Sequence, residues 1–147
     1  HTRSYLKSRG LGDVYKRQVG LFADTSGLRV IHNDLHQWNV KVCRGKLYAL
    51  DFEDLMWGFP VQDIAITLYH FQGDERYQAL HDAFARGYTS RNPWPERGPG
   101  EIEALIAGRA LNLASLVLQD PNPEWKQAAP EFLEGTESRL RAYLDSN

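Results

Sequence analysis

A single cysteine, Cys43, among 147 residues excludes an internal disulfide, so the chain has no covalent staple of its own. Cys43 lies in a strand-like run, where a buried, inert thiol is expected rather than a nucleophile. No apolar run approaches the roughly 18 residues that span a bilayer. The polar, basic start lacks the apolar core of a secretory signal. A cytoplasmic protein without a membrane partner is expected. The net charge is only −2, from 17 Lys and Arg against 19 Asp and Glu, so the basic footprint of a nucleic-acid binder is missing too. Methionine occurs once, at Met56, and the chain opens on His1.

What is present suits a folded domain with a real core: 42% of residues are hydrophobic and 24% charged. The charge is uneven. Arg3, Lys7, Arg9, Lys16 and Arg17 face only Asp13 in residues 1–18, while the remainder carries 12 basic and 18 acidic groups. The run Ser8–Gln18 resembles translated adapter sequence at the ends of assembled environmental fragments. Residues 1–18 are therefore expected to be non-native or disordered, and the folded part to run over 19–147.

Gly27–Ile31 reads as a short extended lead-in. Val40–Cys43 and Lys46–Leu50 flank Arg44-Gly45, which is a hairpin signal. Pairing of these strands would bring Asp51 back toward Asn39. After Asp54 the pattern turns helical, with a breaker at Gly58-Phe59-Pro60. Ile64, Leu68 and Phe71 share one helix face, and Tyr77, Leu80, Phe84 and Tyr88 share another. Pro and Gly make 90–100 a loop. A third helix is expected over about 101–119, stopped by Asp120-Pro121-Asn122-Pro123, and a last one over about 130–144. A hairpin followed by helices makes an α+β fold dominated by helix.

The chemistry sits in His32-Asn33-Asp34-Leu35-His36-Gln37-Trp38-Asn39 and in Asp51-Phe52-Glu53. Phosphoryl transfer needs a metal to neutralise phosphate oxygens and a group to take the proton of the attacking hydroxyl. In the pattern H-x-D-L-x-x-x-N the Asp is that base and the Asn a metal ligand. The Asp that opens the next short motif is the main ligand. His32, Asp34, Leu35 and Asn39 stand in that register, with Asp51 downstream. Amide and carboxylate oxygens suit Mg2+. A rival chemistry is a zinc or iron site on His32, Asp34 and His36, which alternation along an extended strand would turn to one side. His70 and His81 read as ordinary surface or core residues.

These residues resemble the aminoglycoside phosphotransferase / choline kinase-like family, whose fold is that of the protein kinases. The family pattern is His-Gly-Asp-Leu-His-x-x-Asn, then Ile-Asp-Phe/Trp-Glu, then a Gly-containing turn and Asp-Leu-Ala. Gly58 and Asp63-Ile64-Ala65 match the last part. The resemblance implies a protein-kinase-like carboxyl-terminal lobe, with catalytic loop and metal motif in 30–65 and a helical subdomain in 61–147. It implies Asp34 as catalytic base, with His32 bracing the loop. Asn39 and Asp51 would hold Mg2+. Asp63 would hydrogen-bond the loop from the next helix. Glu53 is placed near a second metal or the acceptor. For His36 it leaves open whether the ring touches phosphate or only packs.

Two features depart from the family pattern. Asn33 replaces Gly, and Asn tolerates a left-handed backbone better than most residues. No Gly-rich phosphate loop, no Val-Ala-Ile-Lys-like lysine and no partner Glu on a helix occur upstream. The amino-terminal lobe is thus expected to be missing, and the fragment inactive alone. The function implied is transfer of the γ-phosphate of ATP to a hydroxyl of a small molecule such as an aminoglycoside, choline or a sugar. The alternatives are a stress-response type of protein Ser/Thr kinase, which the helical region resembles more loosely, and a non-catalytic binding module. Trp38, Trp57, Phe59, Tyr69 and Trp94 are expected to pack cores, with cation binding as the alternative.

Overall fold

The computed structural model describes residues 25–146. The expectation for 1–18 lies outside them. The described residues fall into two compact units, 25–102 and 103–146.

In the first unit β1 (Arg29–Ile31) pairs antiparallel with β4 (Met56–Gly58), and β2 (Val40–Cys43) with β3 (Lys46–Ala49). The hairpin is in the expected place. Its turn residues Arg44 and Gly45 have φ of 50° and 72°, the double left-handed turn that matches strand twist. Val40 pairs with Ala49, so the two ends of the hairpin meet. Two expectations need correction. Cys43 is exposed, because among the described residues this two-stranded hairpin has no covering layer along β2 and β3. Met56–Gly58 form a strand rather than the start of a helix. Gly58 and Pro60 are poor helix-interior residues, and the edge of β1 offers backbone partners at that point.

Helix α1 (Pro60–Tyr69) has Pro at its first turn, where a missing N–H costs nothing. Gln62 Oε1 accepts from the Phe59 N–H at 2.7 Å and closes the helix start. Val61, Ile64, Ala65, Ile66, Leu68 and Tyr69 are all buried, which makes α1 the core helix of its unit. Helix α2 (Tyr77–Thr89) has no buried residue. The loop after it is tied down by Arg97. Its Nε and Nη2 donate to Glu101 Oε1 at 2.9 and 2.6 Å, its backbone N–H donates to Oε2, and its guanidinium lies 3.9 Å over the Phe59 ring. Glu101 is buried, so this pairing is what makes its charge tolerable.

The second unit holds most of α3 (Glu101–Gln119) and all of α4 (Pro123–Asp145). Ala104, Ala107 and Tyr143 are buried together, with Leu111 and Leu140 against them. Helix α4 starts before the expected Pro130. Asn122 caps it by accepting from the Glu124 N–H at 2.9 Å, and Pro123 fills the first position. Pro130 sits inside the helix, where it removes one interior donor. No helix of the described residues is long and apolar enough to cross a membrane.

Two of these local arrangements can be tested directly. A Cβ on Gly58 would meet Gln62 Oε1 at 2.7 Å and Ile31 Cγ1 at 2.9 Å. Gly58→Ala is expected to lose about 1–3 kcal/mol in urea denaturation by overpacking; an unchanged midpoint contradicts this. Asp74 is held down to about 2 by the side-chain hydrogen bonds from Arg76. Its folded value lies below the unfolded one, so its contribution is present above the ordinary aspartate range and is lost as pH falls through about 2. Arg76→Ala is expected to move the Asp74 midpoint up in an NMR titration.

Candidate active site

The motif loop runs from the end of β1 to the 3-10 turn at Gln37–Asn39. Asn33 takes φ of 65°, the left-handed backbone that its residue type tolerates. This left-handed residue breaks the alternation on which the zinc or iron reading of His32, Asp34 and His36 depended. His32 points elsewhere: its Nε2 donates to the Leu50 carbonyl at 2.8 Å. No group of three His, Cys, Asp or Glu among the described residues converges as a metal site.

Helix α1 grips this loop. Asp63 Oδ2 accepts from the His32 N–H at 2.9 Å and Oδ1 from the Asn33 N–H at 2.7 Å. One turn on, the Thr67 hydroxyl donates to the Leu35 carbonyl, sharing its proton with the Asp63 carbonyl. A further turn on, the His70 ring meets the His36 ring edge-on at 5.1 Å. Asp63, Thr67 and His70 form an i, i+4, i+7 stripe beside the apolar stripe of Ile64 and Leu68. Thr67 and His70 were missed in the sequence. The spacing was there to see, but a Thr and a His in a helix carry no motif.

Inside the loop, Asn39 Nδ2 donates to Asp34 O at 3.0 Å and to Asp34 Oδ2 at 3.1 Å. The Asn39 backbone carbonyl accepts from the Leu50 N–H at 2.9 Å. Leu50 is thus held on both sides, by Asn39 through its N–H and by His32 through its carbonyl. The next residue, Asp51, turns sharply with φ of 62°. Asp51 and Glu53 are exposed. Phe52 returns to the loop, its ring 4.9 Å from that of His32.

The donor atoms suit a hard divalent cation. Asn39 uses its amide nitrogen on Asp34, so the atom it can offer is the amide oxygen. Asp51 contributes a carboxylate with no hydrogen bond or ion pair among the described residues. Of the aromatic residues singled out in the sequence, Phe59 and Tyr69 are core, whereas Trp38 and Trp57 are two-thirds exposed. Trp94 packs edge-on against Tyr88 and His81.

Removing the Asp63 carboxylate would strand two backbone N–H groups. Asp63→Ala is expected to cost about 2–4 kcal/mol in denaturant unfolding, the loss of two charge-assisted bonds. Amide exchange at His32 and Asn33 should accelerate in parallel. Exchange at the wild-type rate would show that Asp63 does not hold the loop.

The APH family model, described as a phosphotransferase enzyme family, matches residues 17–105. An uncharacterized protein of Deinococcus radiodurans is 30% identical over 103 residues, which are 65% of this chain and 30% of that protein. Among solved structures, amicoumacin kinase hAmiN in complex with AMP-PNP, Ca2+ and Ami superimposes with a TM-score of 0.69 at 19% identity. The match covers 89% of this chain and 43% of hAmiN. The likeness to hAmiN shows a shared fold, and the chain spans less than half the length of either relative.

Proposed function

The chain belongs to the phosphotransferase enzyme family, and we propose that it is the carboxyl-terminal, metal-holding lobe of an enzyme that moves the γ-phosphoryl group of ATP to a hydroxyl of a small molecule. The observation that carries this reading is the Asn39 bridge. Its side chain ties the carboxylate of Asp34, while its backbone carbonyl ties the strand end that precedes Asp51. A proton acceptor and two oxygen ligands then share one rigid frame.

In this reading Asp34 accepts the proton of the attacking hydroxyl and orients it. The Asn39 amide oxygen and the Asp51 carboxylate would hold Mg2+, which when bound would supply positive charge against the phosphoryl group. His32 keeps Leu50, and so Asp51, in position. Asp63 holds the base loop from α1. Glu53, exposed two residues beyond Asp51, is open to a second metal or to the acceptor. The AMP-PNP, Ca2+ and Ami in the hAmiN structure support a nucleotide, a divalent cation and a small-molecule acceptor as ligands of the complete protein.

The test uses the full-length protein that carries this sequence. Asp34→Ala is expected to lower kcat by about 10²–10⁴-fold, the usual worth of a positioned base, and to leave ATP affinity near wild type. Asp51→Ala should instead weaken Mg2+-dependent nucleotide binding in calorimetry. Turnover that survives Asp34→Ala, or nucleotide affinity that survives Asp51→Ala, sinks the assignment of that residue.

A further inference from the structure

We propose that His36 is a positioning residue for Asp34: its imidazole fixes the plane of the carboxylate, and His70 and Trp38 fix the imidazole. The inference rests on Asp34 being the base. His36 Nε2 lies 3.2 Å from Asp34 Oδ2, the same oxygen that accepts from Asn39 Nδ2 at 3.1 Å. The final torsion of an aspartate is broad and soft. One donor leaves the carboxylate room to swing about that bond. A second nitrogen on the same oxygen narrows the range, and contacts of this kind shorten further when the reacting complex forms.

The surroundings of the ring decide which nitrogen carries the proton. His36 Nδ1 is buried without a hydrogen-bond partner. Buried N–H groups are very rarely left unpaired, whereas unpaired acceptors are better tolerated. The opposite tautomer would also press the Nε2 lone pair against a carboxylate oxygen. The ring is therefore the Nε2–H form, with that nitrogen 3.2 Å from Asp34 Oδ2. His32 shares the buried, unpaired Nδ1, and its Nε2 donates to the Leu50 carbonyl.

The ring is not free to rotate away. The His36 N–H donates to Asp34 O at 2.9 Å, and the His36 carbonyl accepts from the Asn39 N–H at 3.0 Å. Trp38 and His70 both stand edge-on to the imidazole, at 5.3 and 5.1 Å, and also to each other at 5.2 Å. His70 caps the carboxyl end of α1, the helix that already holds the loop through Asp63 and Thr67. The helix thus sets the backbone of the base through its first turns and the side chain of the base through its last.

A ring that only fills space would be replaced well by Phe and poorly by Gln. A positioning donor requires the reverse order. In the full-length protein, His36→Phe is expected to lower kcat roughly 10- to 100-fold, the scale of a misaligned reacting group, with the KM for ATP little changed. His36→Gln, whose amide nitrogen can stand in for Nε2, should recover most of the loss. In an Asp34→Asn background, His36→Phe should add nothing further. Wild-type kcat in His36→Phe, or Phe outperforming Gln, overturns the role of His36 while a dead Asp34→Ala keeps the base assignment intact. Turnover surviving in Asp34→Ala overturns both. Because the variants could fold poorly, the wild-type protein supplies a second readout. Two-bond proton–nitrogen NMR of the histidine rings should show His36 as the Nε2–H tautomer, with its signals shifting in Asp34→Asn. An Nδ1–H ring, or signals indifferent to Asp34, refutes the inference.

Discussion

The motif loop depends on one carboxylate, that of Asp63 on α1. Asp63 accepts from two consecutive backbone N–H groups, those of His32 and Asn33, and so fixes the direction in which the chain leaves β1. Two consecutive donors can point at one carboxylate only if the chain departs from the extended strand at that point. The left-handed Asn33 supplies that turn. From there Asp34, His36 and Asn39 are placed by short-range geometry rather than by the hydrophobic core. The core acts one step back, through the burial of Ile64, Leu68 and Tyr69, which holds α1 still while its polar stripe works.

This division explains what could be read from the sequence. The hairpin was legible because β-branched runs and a Gly-containing two-residue turn have a local cause. The closeness of Asp34, His36 and Asn39 was legible because their spacing puts them on one short loop, and the structure brings their polar atoms together. The Asn at position 33 was legible as a left-handed residue for the same local reason. Strand β4 was not, since Met56–Gly58 has no pattern of its own and is a strand only because β1 lies beside it. The exposure of Cys43 was not legible either. Its strand-like neighbours say that a strand forms, and only the three-dimensional arrangement says that no described residue covers it. Thr67 and His70 became meaningful only once the loop was seen to lie along α1.

The two halves of the site are held in different ways. The loop from His32 to Asn39, which carries the proposed base, is tied repeatedly, to α1 or within itself. The segment that carries Asp51 is held through Leu50 before it, through the Phe52–His32 ring contact and through the pairing of Met56–Gly58 with β1, while its side chains from Asp51 to Trp57 are exposed. A base gains from being fixed before the substrate arrives, because reorganisation during proton transfer raises the barrier. A carboxylate that would meet a cation has its final geometry completed by atoms that the chain does not supply. Asp51 keeps its left-handed backbone at a cost, since a non-glycine residue with positive φ is strained. Here the paired Leu50 backbone on one side and the Phe52–His32 ring contact on the other hold it there.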